Sequence, residues 1–149
     1  MSESQYVVFR LEKEKYGVDI ANVGGITEVT EITKVPNSPY FIEGVINLRG
    51  SIIPIINLKK RFNIVHTEET NDKRIIIINV KGKDVGYIVD EASQVLRIDN
   101  NDIDPTPSLL LSEDRKYISG IAKVNNSIII LLDLVNILNT QEIDQIKNI

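Results

Sequence analysis

The sequence predicts an all-β protein made of two small five-stranded barrels that arose by internal duplication. Four observations carry that expectation. The stretch Phe41 to Phe62, FIEGVINLRGSIIPIINLKKRF, lies without a gap on Tyr117 to Leu138, YISGIAKVNNSIIILLDLVNIL, at an offset of 76 residues with six of 22 pairs identical. All eleven apolar positions of the first copy meet an apolar partner in the second, as a shared core pattern requires. Upstream, the strand-like runs Tyr6 to Leu11 and Tyr16 to Ile20 recur as Ile75 to Val80 and Val85 to Val89 at an offset of 69, with Gly17 landing on Gly86. Finally, turn signals at close spacing leave about five short strands per copy, too few to bury both faces of an open sheet, so each copy is expected to curl into a barrel.

Taken in order, the first strand pair turns at Glu12 to Lys15 and its counterpart at Lys81 to Asp84. Each pair is followed by a segment with a proline stop, GITEVTEITKVPNSP and VLRIDNNDIDPTP. Each should hold one more strand and then an irregular connection, because Pro36, Pro39, Pro105 and Pro107 lack the N–H that continued pairing needs. The repeated stretch reads as a β-hairpin of Val45 to Leu48, a turn with Gly50, and Ile52 to Ile56. Gly50 faces Asn126, and Gly and Asn take positive φ most readily, so both turns are expected to need a left-handed residue there. Pro54, which faces Ile130, predicts a bulge or an edge in the first copy alone. The change of offset from 69 to 76 puts about seven extra residues near Leu109 to Lys116. The polar stretch His66 to Asp72 is the junction between copies, and Ile143, Ile146 and Ile149, three apart after Thr140 as N-cap, predict a short terminal helix. The expected organisation is one unit over 1–149, with a first barrel at 1–66, a second at 73–140 and a helix at 141–149; exchange of terminal strands between barrels is left open.

Composition excludes several function classes. A net charge of −4 gives no field for phosphate backbones, and aromatics at 5% without Trp give no base-stacking platform. Zero cysteines exclude a disulfide scaffold and thiolate metal sites, and a single histidine, His66, leaves no cluster for zinc. There is no leader and no apolar run as long as a membrane span, so the expectation is a soluble intracellular protein without cofactor or metal. No catalytic constellation assembles. Asp90 and Glu91 are adjacent, and neighbours on a strand point to opposite faces. Gly24 and Gly25 are followed by no phosphate-loop lysine and helix. Lys59, Lys60 and Arg61 read as a solvated basic face, and His66 as a solvated side chain.

The duplication offers a sharper test. Where both copies keep a residue, architecture explains it, as for Gly44 and Gly120; where they diverge within a shared shape, something else has chosen the residue. Arg49 faces Asn125. A turn that works with Asn has no need of Arg, and five guanidinium donors at a hairpin tip suit an interface anchor.

The segment FIEGVINLRGSIIPIINLKKRF, with YGVDI upstream and VGYIVDEASQVL downstream, resembles the CheW-like adaptor family of bacterial chemotaxis over nearly the whole chain. The resemblance implies two SH3-like barrels side by side, with short helical segments, and no enzymatic activity. It implies a cytoplasmic adaptor that couples chemoreceptor cytoplasmic tips to the histidine kinase CheA through the kinase's regulatory domain, at arrays on the inner face of the membrane but without membrane insertion or nucleic acid. An isolated interaction module serving another two-component complex is the alternative. Carried over by position, the receptor-binding groove between the barrels would be lined by Val23, Ile26, Arg49 and Val95, whereas core burial is the competing reading for the two valines. Ile32, Asp104, Pro105 and Leu109 resemble positions of kinase contact.

Overall fold

Runs of isoleucine and valine bounded by turn residues become strands throughout, because β-branched side chains pack well on a pleated surface. The computed structural model describes residues 3–66, 69–106 and 117–147. In chain order its strands are β1 (Glu3–Leu11), β2 (Glu14–Asp19), β3 (Val23–Glu28), β4 (Ile42–Leu48), β5 (Ser51–Asn57), β6 (Arg74–Val80), β7 (Lys83–Val89), β8 (Glu91–Asp99), β9 (Ile103–Asp104), β10 (Ile118–Val124) and β11 (Ser127–Leu132). The helices are α1 (Leu58–Arg61) and α2 (Thr140–Lys147), and single 3-10 turns at Ile20–Asn22 and Asn100–Asp102 precede β3 and β9.

The duplication is exact at the level of the hydrogen-bond ladder. In the β4–β5 hairpin Ile46 opposes Ile53 and Asn47 opposes Ile52; in β10–β11 Ala122 opposes Ile129 and Lys123 opposes Ile128. Both hairpins slip register at the same place, between Ile42 and Gly44 and between Ile118 and Gly120. The shared glycine is required by contact: at Gly44, where φ is +143°, a Cβ would sit 2.1 Å from the Thr33 carbonyl oxygen, and at Gly120 it would sit 2.9 Å from Ile103 Cγ2. Both turns place two successive residues at positive φ, Arg49 (53°) with Gly50 (88°) and Asn125 (48°) with Asn126 (65°). That is the geometry of a two-residue hairpin turn matched to strand twist. Ile52 and Ile128 are accordingly equivalent, both on the outer surface at 56% and 64% exposure.

Each copy gives its first hairpin to the other. The six-stranded sheet runs β8-β1-β2-β11-β10-β9 and the five-stranded sheet β3-β6-β7-β5-β4. Thus β1–β2 completes the sheet of the second copy, and β6–β7 that of the first. The exchange left open by the sequence occurs, and each sheet takes strands from both sides of residues 66–73. Parallel seams hold the borrowed hairpins, Leu131 opposite Gly17 and Ile55 opposite Gly86. Glycine is needed there because a Cβ at Gly86 would lie 2.6 Å from Ile55 Cδ1. The result is an all-β fold of two SH3-like barrels with few helices and a C-terminal helix.

Three cores follow from the alternation of side chains across the strands. Ile46, Ile53, Ile55, Ile75 and Ile77 fill the five-stranded barrel, and Val8, Ile98, Ala122, Ile129 and Leu131 fill the six-stranded one. The largest cluster draws on both sheets, including Val7, Phe9, Val18, Ile76, Ile78 and Tyr87, and joins the barrels. Phe9, Tyr16, Phe62 and Tyr117 stack in sequence along it, with centroids 5.8, 6.5 and 5.1 Å apart. The Tyr87 hydroxyl donates to the Leu134 carbonyl at 2.8 Å, and burial pushes its phenol far above the usual range.

Pro54 makes no bulge; it stands in regular register opposite Val45. Its missing N–H is felt on the other side, where pairing with β7 begins only at Ile55, whereas its counterpart Ile130 pairs with Tyr16. The terminal helix forms, but its cap is Asn139, one residue earlier than expected. Asn139 Oδ1 accepts from the Glu142 N–H at 2.8 Å while Glu142 accepts from the Asn139 N–H at 2.9 Å, a reciprocal capping box. Ile143 and Ile146 are buried as the spacing requires. Ile149 and the extra residues expected near Leu109 to Lys116 lie outside the described residues.

Candidate functional site

The two adjacent glycines of β3 position the first pair of predicted site residues. A register shift between Val23 and Gly25 lets Val23 oppose Ile78 and Ile26 oppose Ile76. Residues directly opposed on paired strands share a face. Ile76 and Ile78 belong to the core between the barrels, so Val23 and Ile26 present the same inter-barrel face although they are three residues apart. Across the pseudo-symmetry, β8 repeats this against β1: Val95 opposes Val7 and Ala92 opposes Phe9, with a shift between Val8 and Phe9. Val95 is therefore the counterpart of Ile26, also on the inter-barrel face. Val23 is half-buried against the joining core, while Ile26 and Val95 are 42% and 51% exposed.

Arg49 stands at the tip of the β4–β5 hairpin. A depression of about 350 Å³ brings it together with Gly24, Gly25, Ile26, Ser51 and Asp84. Val23 and Val95 are not among that depression's lining. Arg49 makes no hydrogen bond or ion pair with the described residues, and its φ of 53° is one that an unbranched cation adopts less readily than Asn or Gly. The turn therefore gains nothing locally from Arg.

The kinase-contact residues fall in two places. Ile32 is half-buried against the core of the five-stranded barrel, beside Gly44. Asp104 and Pro105 are exposed at the edge of the other sheet, where Asp104 pairs with Lys123 at 2.9 Å. Thr33 bridges to Val45 much as Asp104 pairs with Ile121, which makes these corresponding points of the two barrels. Leu109 lies outside the described residues.

One charged cluster was misread in the sequence. Lys59 is no solvated cation: it is 6% exposed and bridges Glu12 and the 4% exposed Asp90, the latter at 3.0 Å. Burial works against the Lys59 charge, but hydrogen bonds to Glu12 and Asp90 more than offset it and hold the ammonium above its ordinary value. Asp90 also accepts from the Glu12 N–H at 2.7 Å. Arg61 is likewise turned inward, donating to the Ile137 carbonyl at 3.2 Å and to Glu142 at 3.3 Å, and stacks over Phe41. Lys60 alone keeps an exposed side, where it pairs with Glu43 at 2.8 Å; burial raises the Glu43 carboxyl, and Lys60 and Asn57 together pull it below the usual range. His66 also has partners, Nδ1 at 2.7 Å from Lys59 Nζ and Nε2 at 2.8 Å from Glu69. The duplication carried the signal: Lys59 and Arg61 face Val135 and Ile137, so both positions point inward in the shared shape. Among the described residues no group of His, Cys, Asp and Glu could hold a metal ion, and no helix is long and apolar enough to cross a membrane.

Comparison with known proteins agrees with this architecture. The sequence profile of the CheW-like domain matches residues 5–142. The chain belongs to the CheW-like family. Its relatives within that family include the chemotaxis protein CheW of Treponema pallidum, 34% identical with 97% of this chain and 88% of the relative covered, and that of Thermotoga maritima, 36% identical with 93% and 89% covered. Among solved structures, the scaffolding protein TtCheW from Thermoanaerobacter tengcongensis superposes with a TM-score of 0.85 at 42% identity, covering 95% of this chain and 92% of that one. This CheW-like chain is thus similar, over nearly all of its length, both to proteins named chemotaxis protein CheW and to a CheW scaffolding protein.

Proposed function

We propose that this protein is a non-enzymatic chemotaxis adaptor that couples the cytoplasmic tips of chemoreceptors to the histidine kinase CheA. The observation that carries the reading is Arg49, a cation held at positive φ and without a local partner, beside the exposed Ile26. Val23 and Ile26 on one barrel and Val95 on the other supply apolar faces on either side of the joining core, the complement of an amphipathic helix. Arg49 supplies the polar end of that contact. Its place is then the cytoplasm, at receptor arrays reached through its partners, and Ile32, Asp104, Pro105 and Leu109 are the proposed kinase-facing residues.

The test is co-sedimentation of the purified protein with a receptor cytoplasmic fragment and CheA, with kinase activity as a second readout. The expected result is a ternary complex with receptor-stimulated autophosphorylation, and weaker receptor binding by Val95→Glu with unchanged melting. Receptor and kinase binding that the wild-type protein fails to show would overturn the proposal.

A further inference from the structure

The exchanged hairpins have a consequence for self-association. Among the described residues, the strands and helices before the connection at Asn63 to Lys73 are β1 to β5 and α1, and those after it are β6 to β11 and α2. The two halves do not sit side by side as finished units. They meet through four strand pairings, β1 with β8, β2 with β11, β3 with β6 and β5 with β7, so each sheet is complete only when both halves are present. The described part of the connection has no strand pairing: the Asn63 and Ile64 N–H groups donate to the Lys60 and Lys59 carbonyls, and beyond them side chains link Lys59 to His66, His66 to Glu69, and Lys73 to Glu69 at 3.1 Å. Asn71 and Asp72 are exposed.

We propose that this chain pairs with a second copy of itself by exchanging halves, the first half of one chain completing both sheets with the second half of the other. Every strand pairing and both barrel cores are re-formed in the exchanged dimer, so the two forms differ only in the connection and in the cost of bringing two chains together. The monomer is favoured by the effective concentration of its own second half, on the order of millimolar for a short flexible connection. The Lys59–His66–Glu69–Lys73 contacts add to that preference, because a connection drawn out to reach a second copy would give them up. Exchange of an identical element is a low-cost route to a dimer. Such a dimer has two sets of these inter-barrel residues, each with Val23 and Ile26 from one chain and Val95 from the other, and on the proposed function would present the docking face twice.

The test is refolding of the full chain from denaturant at about 1 mM and at about 1 µM, bracketing the effective concentration of a tethered half, followed by light scattering after dilution. The expected outcome is a species of doubled mass from the concentrated sample only, persisting on dilution because reversal requires all four pairings to open. A protease recognition sequence inserted between Asn71 and Asp72 then identifies its kind. Cleavage should halve the mass of an exchanged dimer, since each product is one first half and one second half, with the circular dichroism spectrum unchanged. The double change His66→Ala with Glu69→Ala, on exposed side chains, should raise the dimer fraction severalfold at a given refolding concentration. Monomer at both concentrations, or a dimer that keeps its mass after cleavage, would overturn the proposal; a dimer fraction unmoved by the double change would overturn the role given to these contacts.

Discussion

The hairpins at 41–62 and 117–138 share their register, their bulge and the handedness of their turns, although only six of their 22 matched residues are identical. What they share is set by backbone geometry, namely the glycine under the Thr33 or Ile103 segment and the two left-handed turn residues. Among their differences are Arg49 against Asn125, Lys59 against Val135 and Arg61 against Ile137. Two of those three differences are interior and one is at a free tip. The comparison teaches that divergence between copies marks either a buried polar device or a surface meant for something outside the chain, and burial separates the two.

The largest expected effect comes from breaking a shared feature. Gly44→Asn must place a Cβ on the Thr33 carbonyl, where 2.1 Å leaves no room, in a backbone that side chains rarely adopt. We expect a loss of about 4 kcal/mol or more, seen as failure to melt cooperatively in differential scanning calorimetry. Gly120→Ala meets the Ile103 methyl at 2.9 Å and the Asp104 carbonyl oxygen at 3.3 Å, both farther than the Thr33 oxygen at Gly44, and should cost less. If the two prove equally damaging, contact geometry is the wrong explanation for the shared glycine.

Next is Lys59→Met, which makes the first copy resemble the second at that position while removing the buried cation that bridges Asp90 and Glu12. Removing one partner of a buried ion pair costs about 3–5 kcal/mol, to be measured by chemical denaturation at neutral pH. The pH dependence has a definite sign. The folded ammonium is held above the ordinary value of 10.5, so its contribution is complete below that pH and is lost as pH rises through the folded value. The difference between wild type and Lys59→Met should therefore shrink in alkaline solution, and a gap that widened instead would contradict the bridge.

Tyr87→Phe is a smaller perturbation. Its counterpart Val18 has no hydroxyl, and the change leaves the Leu134 carbonyl without its buried donor. A loss of about 1–3 kcal/mol is expected in urea denaturation.

The smallest effect on stability is expected at Arg49→Asn, which should be neutral or stabilising by up to about 1 kcal/mol because Asn suits positive φ better. Its effect on receptor-fragment binding should be large, roughly 2 kcal/mol or some thirtyfold in affinity. Equal affinity of the two forms in sedimentation would assign Arg49 to the turn alone.

Much of this fold was legible because the chain states it twice. The strand pairs, the proline-stopped third strands, the left-handed turns and the terminal helix all follow from local patterns of period two, turn chemistry and capping. The exchange of hairpins was not legible, since Val7 can satisfy its apolar face against Ile26 or Val95 alike and sequence alternation does not name the partner. The inward turn of Lys59 and Arg61 was obscured by their charge, although Val135 and Ile137 at the matching places pointed inward. At the candidate site, sequence comparison singled out Arg49, but its positive φ and its depression shared with Ile26 required coordinates.

The borrowed hairpin also sets a timetable for synthesis. When β1 leaves the ribosome, the strand it must pair with, β8, is still roughly 90 residues away, a wait of about 5–20 s at ordinary elongation rates. During that interval β1 and β2 expose Val7, Val8, Phe9 and Val18, all destined for burial, with neither neighbouring strand yet made. The nascent first half thus carries unburied apolar surface of the kind that chaperones bind until translation is well into the second. A stall near the connection would strand it there, which makes codon speed after Lys73 a determinant of yield.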